Sequence, residues 1–79
     1  MVSSLDFNWE PVRGGNIPAY AVLAGHDTDG GPIYAGRASF RTDLLPAKVV
    51  LNHQAAYVPF AGSEHRVDNY EVKTTTAFH

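Results

Sequence analysis

Ile33-Tyr34-Ala35-Gly36-Arg37-Ala38-Ser39-Phe40 is the stretch that decides the fold of this chain. Its residues alternate: Ile33, Ala35, Arg37 and Ser39 fall on one side of an extended backbone, Tyr34, Gly36, Ala38 and Phe40 on the other. That is the two-residue period of a β-strand. A helix needs apolar residues three and four apart, and this spacing is missing almost everywhere. Seven glycines and five prolines interrupt the 79 residues at short intervals, leaving little room for a helix of three turns.

On the N-terminal side, His26-Asp27-Thr28-Asp29-Gly30-Gly31-Pro32 combines Asx-turn formers with two glycines able to take positive φ. Before it, Ala19 to Leu23 reads as a strand closed by Ala24-Gly25. On the C-terminal side, Lys48 to Leu51 and Ala55 to Phe60 read as strands joined by a hairpin at Asn52-His53-Gln54. Pro59 removes a ladder donor and predicts that its strand lies at an edge or is bulged. Tyr70 to Lys73 opens a last strand that continues through the threonines towards Phe78. Short strands recurring every ~8–12 residues predict an all-β fold, a small antiparallel β-sandwich or prism. The pattern occurs once, so residues 1–79 read as a single domain. Trp9, Tyr20, Tyr34, Phe40, Tyr57, Phe60, Tyr70 and Phe78 are expected mostly in the core, with one or two left as a stacking platform for a ligand.

A chain this short leaves much of its surface wet and is marginal in isolation. It has no cysteine, so neither disulfides nor thiolate-bound metal can add stability, and oligomerisation is the common remaining remedy. Six basic and eight acidic side chains give a net charge of −2 with no Lys/Arg cluster, which argues against nucleic acid as a partner. Asp6 stands where a signal peptide would have its apolar core, and no apolar run approaches the ~20 residues of a membrane span. The expectation is a cytoplasmic protein without membrane insertion.

Asp27-Thr28-Asp29-Gly30 resembles part of a calcium loop, but aligning Gly30 with the sixth loop position puts Gly25 and Gly36 at positions that require acids. It remains either a plain turn or a rigid carboxylate able to accept from two adjacent sugar hydroxyls. The four histidines, His26, His53, His65 and His79, lack metal-site spacing, so no metal and no cofactor is expected. Gly62-Ser63-Glu64-His65 places serine, acid and histidine side by side, whereas a triad needs them to converge from separate elements; an enzyme is not expected. The glycines form no phosphate loop. Lys48 follows Pro46-Ala47 at a strand start and is either aimed or simply solvated.

Trp9, Gly15-Asn16-Ile17-Pro18, Ala21, Ala24-Gly25, Ile33 to Ala38, Leu45-Pro46-Ala47-Lys48, Tyr57 to His65 and Asn69-Tyr70-Glu71-Val72 occur in an order that closely resembles one repeat of the DM9 domain family. Two positions depart from its pattern: Ala47 where the family usually has glycine, and Ser63 where it usually has lysine. The resemblance implies a mannose-recognising lectin of β-strands, with the innate-immune role such lectins serve. In it the sugar contacts fall on Asp27 and Lys48. Asp43 is a further candidate, and Glu64 and His65 either line the same region or hold its turn in shape. Family members usually carry two repeats packed about a pseudo-twofold axis. The single copy here therefore implies a homodimer with strand exchange, with mannose-type glycans as partners. The alternative is a protein-interaction or structural module whose sugar site has decayed, motivated by Ala47 and Ser63.

Overall fold

The computed structural model describes residues 6–13 and 15–76, and all its strands belong to one antiparallel sheet. The strands are β1 (Asp6–Arg13), β2 (Leu23–His26), β3 (Pro32–Phe40), β4 (Asp43–Val50), β5 (Ala55–Phe60), β6 (Ser63–Val67) and β7 (Asn69–Thr76). Their order is β1-β7-β3-β4-β5-β6, with β2 set against β3. A 3-10 turn at Leu51–His53 is the only helical element among the described residues. The all-β antiparallel class is as expected, but the strands make one continuous open sheet rather than two hydrogen-bonded layers. Phe78, His79 and Gly14 lie outside the described residues.

The alternation along β3 sets the two faces. Gly36 and Ala38 are buried, and Tyr34 and Phe40 pack against the core. Ile33, Ala35, Arg37 and Ser39 occupy the opposite, outer face. Along one edge β3 pairs with β4 from Ile33↔Val50 to Phe40↔Asp43. Its other edge is divided between β2, at His26↔Pro32 and Leu23↔Tyr34, and β7, at Gly36↔Val72 and Arg37↔Glu71. Residues Tyr20 and Val22 join β7 to β3: Thr75 N–H donates to the Tyr20 carbonyl, Val22 N–H to that of Lys73, and Ala35 N–H to that of Val22. Gly36 sits where β7, β3 and β4 crowd together. A Cβ there would lie 2.6 Å from the Glu71 carbonyl oxygen and 2.6 Å from Val49 Cγ2.

The core is made of small and β-branched residues: Val12, Ala38, Ala47, Val49, Ala56, Val58 and Val72, with Tyr70. Strands β5 and β7 approach each other although they are not hydrogen-bonded neighbours, so the sheet curls over its own inner face. Such a narrow interior takes valine and alanine more readily than rings. The expectation that most of the aromatics are internal holds only in part: Tyr70 is buried and Tyr34 and Phe40 pack against the core, but Tyr20 is 64% exposed. Trp9 lies on the outer face under the Arg37 guanidinium, 4.3 Å from its ring centre.

Several strand boundaries also differ from the sequence reading. Ala21 makes an isolated bridge to Thr74, and β2 starts only at Leu23. Ala24 and Gly25 fall inside it, where a register shift takes up the extra residue. β4 begins at Asp43, so Pro46 and Ala47 lie within a strand rather than in a turn. β5 is an interior strand, not an edge. Its ladder with β4 ends at Lys48↔Tyr57, and continuing that register would set Pro46 opposite Pro59. Neither proline has an N–H to donate, so the ladder stops there, while β6 remains paired with β5 out to Phe60↔Ser63.

The β5–β6 connection was not evident in the sequence. It is a two-residue hairpin of Ala61 and Gly62, both left-handed with φ of 53° and 81°. Alanine is strained there, whereas Asn-Gly is the preferred pair. Ala61→Asn is expected to stabilise the fold by about 1 kcal/mol, raising the melting temperature by about 4–8 °C. An unchanged or lower melting temperature would contradict this account of the turn.

Candidate functional site

Ala47 and Val49 point into the core, so the residue between them, Lys48, projects from the outer face. Its cross-strand partner is Tyr57 on β5. Lys48 Nζ reaches across β5 to Glu64 Oε2 on β6, at 3.0 Å. The two side chains are 57% and 53% exposed, so the pair adds only about 0–1 kcal/mol to stability. Its consequence is directional. One ammonium donor is committed to Glu64, the ammonium is held over β5, and its other donors remain for a ligand.

A cleft of about 270 Å³ opens beside this pair. Asp27, Lys48 and Glu64 line it, together with His53 and Tyr57, and its floor is the cross-strand pair Ile33 and Val50. Asp27 is presented by the turn after β2. Its N–H donates to the Gly31 carbonyl at 2.8 Å, and its own carbonyl accepts from Gly30 N–H at 2.9 Å, with Gly30 at φ +86°. Asp27 Oδ1 accepts from Thr28 N–H at 2.9 Å. His53 Nδ1 and the Tyr57 hydroxyl are 2.9 Å apart, which joins the far wall into one polar unit.

Asp29 ties this turn to the rest of the rim. Its Oδ1 accepts from Gly31 N–H at 2.8 Å and its Oδ2 from Asn52 Nδ2 at 3.4 Å, in the 3-10 turn that carries His53. The Gly31 amide, followed by the Asn52 side chain, holds the Asp29 carboxyl below its ordinary value of 3.8. These bonds favour the ionised form. Their contribution is therefore complete above the ordinary value and is lost as pH falls through the lowered one. The Asp29 carboxyl signal in NMR should titrate below 3.8 in the native chain and move back towards it in Asn52→Ala. A native midpoint at or above the ordinary value would remove the clamp from the description.

A second cleft of about 260 Å³ lies on the other side of Lys48, Tyr57 and Glu64, where Pro46 and Pro59 hold β4 and β5 apart. A third, of about 440 Å³, opens where the β3–β7 ladder ends, among Arg13, Arg37, Ser39, Leu44, Asn69 and Glu71. It is lined by none of Asp27, Asp43, Lys48, Glu64 and His65, and Arg37 is already paired with Glu71.

The fold separates the five sequence candidates into two groups. Asp27, Lys48 and Glu64 share the 270 Å³ cleft, whereas Asp43 and His65 do not line it. Asp43 pairs with Phe40 at the β3–β4 hairpin, five residues or about 17 Å of extended strand from Lys48. His65 follows Glu64 directly, but strand alternation turns it to the other face. There it stacks on Phe40 at 4.8 Å, and its Nε2 lies 3.2 Å from the Phe60 carbonyl oxygen. Of the other lining residues, Tyr57 is one of the aromatics from which a stacking platform is expected, whereas His53, Ile33 and Val50 were not anticipated at the site. The available signal was Tyr57 and Pro59 sharing one face of β5, but only the β4–β5 register sets Tyr57 opposite Lys48.

Among the described residues, no three His, Cys, Asp or Glu side chains are grouped to hold a metal ion, and no helix is long and apolar enough to cross a membrane. No curated protein matches the chain. A family model does: that of the DM9 repeat matches residues 1–41 and again residues 27–79. The two matches overlap across the Asp27 turn and β3, and the second alone spans more than half of the sequence. With the ordered blocks from Trp9 to Val72 and the all-β sheet that carries them, this chain belongs to the DM9 family.

Proposed function

We propose that this chain is a non-enzymatic carbohydrate-binding protein that recognises mannose-type sugars through Asp27 and Lys48. Membership of the DM9 family is consistent with a carbohydrate-binding module. The observation that supports the specific reading best is that Asp27 and Lys48, from distant parts of the chain, line one cleft with Glu64, His53 and Tyr57. Chemically the set suits a polyol. The Asp27 carboxylate accepts from vicinal hydroxyls, the oriented Lys48 ammonium donates to hydroxyl or ring oxygens, and Ile33 and Val50 offer an apolar floor to ring C–H groups. A volume of about 270 Å³ is just below the ~300–1,000 Å³ of drug-sized sites and suits one sugar ring. Binding of the purified chain to mannose-rich members of a glycan array, lost in Asp27→Ala and Lys48→Ala, is the expected result. A folded chain that binds no glycan would refute the reading and favour a protein-interaction module.

The same reading includes a homodimer with strand exchange. Strands β1 and β6 end the sheet order, and Phe7, Tyr20, Leu23 and Leu44 are large apolar side chains left exposed. Pairing through them would cover unfilled edges and apolar surface and give two equivalent sites able to crosslink glycans. Sedimentation velocity over a dilution series should show a dimer that dissociates at low concentration. A well-folded monomer at micromolar concentration refutes it.

A further inference from the structure

We propose that the two clefts flanking the Lys48–Glu64 pair are adjoining subsites, so that the ligand is a glycan held across two consecutive sugar rings. The proposal rests on the lectin reading above and specifies its ligand.

The clefts have nearly equal volumes, about 270 and 260 Å³, and both are lined by Lys48, Tyr57 and Glu64. These three side chains form a ridge: Lys48 and Tyr57 face each other across β4 and β5, and Glu64 closes the row from β6 at 3.0 Å from the ammonium. On one side the ridge meets Asp27 and His53, an acceptor-rich wall suited to a ring read through its hydroxyls. On the other it meets Pro46 and Pro59, two exposed rings without donors, suited to the apolar C–H face of a pyranose. Adjacent same-face residues of a strand are about 6.7 Å apart, so Pro46, Lys48 and Val50 mark steps on the scale of one sugar ring along β4.

The second cleft exists for a definite reason. The β4–β5 ladder ends at Lys48↔Tyr57 because the next outer-face positions would bring Pro46 opposite Pro59, and neither can complete a hydrogen bond. Regular strands would have closed the space. The polar cleft alone would read a terminal sugar; the proline cleft adds the ring linked to it. Lys48 and Glu64 stand between them, where a glycosidic oxygen and the hydroxyls beside it would lie.

Isothermal titration of the intact chain with methyl α-mannoside and with α-linked mannobioses tests this. At least one mannobiose should bind about tenfold more tightly than the monosaccharide, the gain expected from burying one further apolar ring face. In Pro59→Ser, and separately in Pro46→Ser, that advantage should fall to about twofold or less while methyl α-mannoside binds as before; the retained monosaccharide affinity reports an intact fold. In the unaltered chain, mannobiose but not methyl α-mannoside should shift the Ala47 and Phe60 amide signals, a readout that needs no variant. Equal affinity for one ring and two, absence of those shifts, or equal loss of both ligands in a folded proline variant would overturn the two-ring proposal and leave the single-sugar site standing. Failure of every mannoside to bind would remove the lectin reading and this proposal with it.

Discussion

Replacing Gly36 with alanine is expected to cost about 3 kcal/mol and to lower the melting temperature by about 12–24 °C. The added methyl would meet the Glu71 carbonyl oxygen and Val49 Cγ2, each at 2.6 Å, well inside van der Waals contact. Val49 is fully buried, and the carbonyl belongs to the β7 backbone. Relief therefore requires β7 to move off β3, where Gly36↔Val72 and Arg37↔Glu71 are their two ladder pairs. A domain of this size has only about 4–12 kcal/mol of stability, so the loss is a large fraction of the total. Gly25→Ala is the matched control. It also lies in a strand, but its Cβ would meet nothing within 4 Å, and its effect should stay within about 0.5 kcal/mol. Thermal unfolding followed by circular dichroism distinguishes the two. If Gly36→Ala melts with the unaltered chain, the close approach of β7 to β3 is wrong.

The second large effect concerns affinity rather than stability. Lys48→Ala is expected to weaken binding of methyl α-mannoside about 100-fold, because a charged donor is removed from the centre of the cleft and sugar oxygens are left unpaired. Asp27→Asn should cost less, about tenfold, since the amide oxygen can still accept from Thr28 N–H and keep the turn while the charge is lost. Lys48 and Glu64 are both more than half exposed, so losing their ion pair in Lys48→Ala should not change the melting temperature appreciably. Titration calorimetry beside a thermal melt separates these effects. Wild-type affinity in folded Lys48→Ala would remove Lys48 from the site, and a large fall in melting temperature would show that its role is structural.

Legibility from sequence differed from element to element. β3, β5 and β7 were readable because they are short runs rich in β-branched and aromatic residues, Ile33, Tyr34 and Phe40 in β3, Tyr57, Val58 and Phe60 in β5, and Tyr70, Val72 and the threonines in β7. β1, with Glu10 and Pro11 in its midst, and β6, which is Ser-Glu-His-Arg-Val, were not. These two end the sheet, and edge strands expose most side chains on at least one face, so little apolar pattern remains to betray them. The ordered DM9-like blocks pointed to Asp27, Lys48 and Glu64 without any geometry. They also pointed to Asp43 and His65, which the fold sends elsewhere, His65 by the parity of a single strand position.

The amino-acid order by itself determined the strand class, the two faces of β3 and the absence of thiol chemistry, all consequences of backbone geometry or composition acting over a few neighbouring residues, whereas of the two turn glycines Gly30 and Gly31 only Gly30 takes positive φ. Tertiary structure alone decided that Asp27, Lys48 and Glu64 share a cleft with His53 and Tyr57, that valine and alanine rather than aromatics fill the interior, and that β4 and β5 part where Pro46 would face Pro59. The reason is that strand register is a property of the whole sheet. Each pairing is chosen by the summed fit of all strands, and no local run of residues contains that sum.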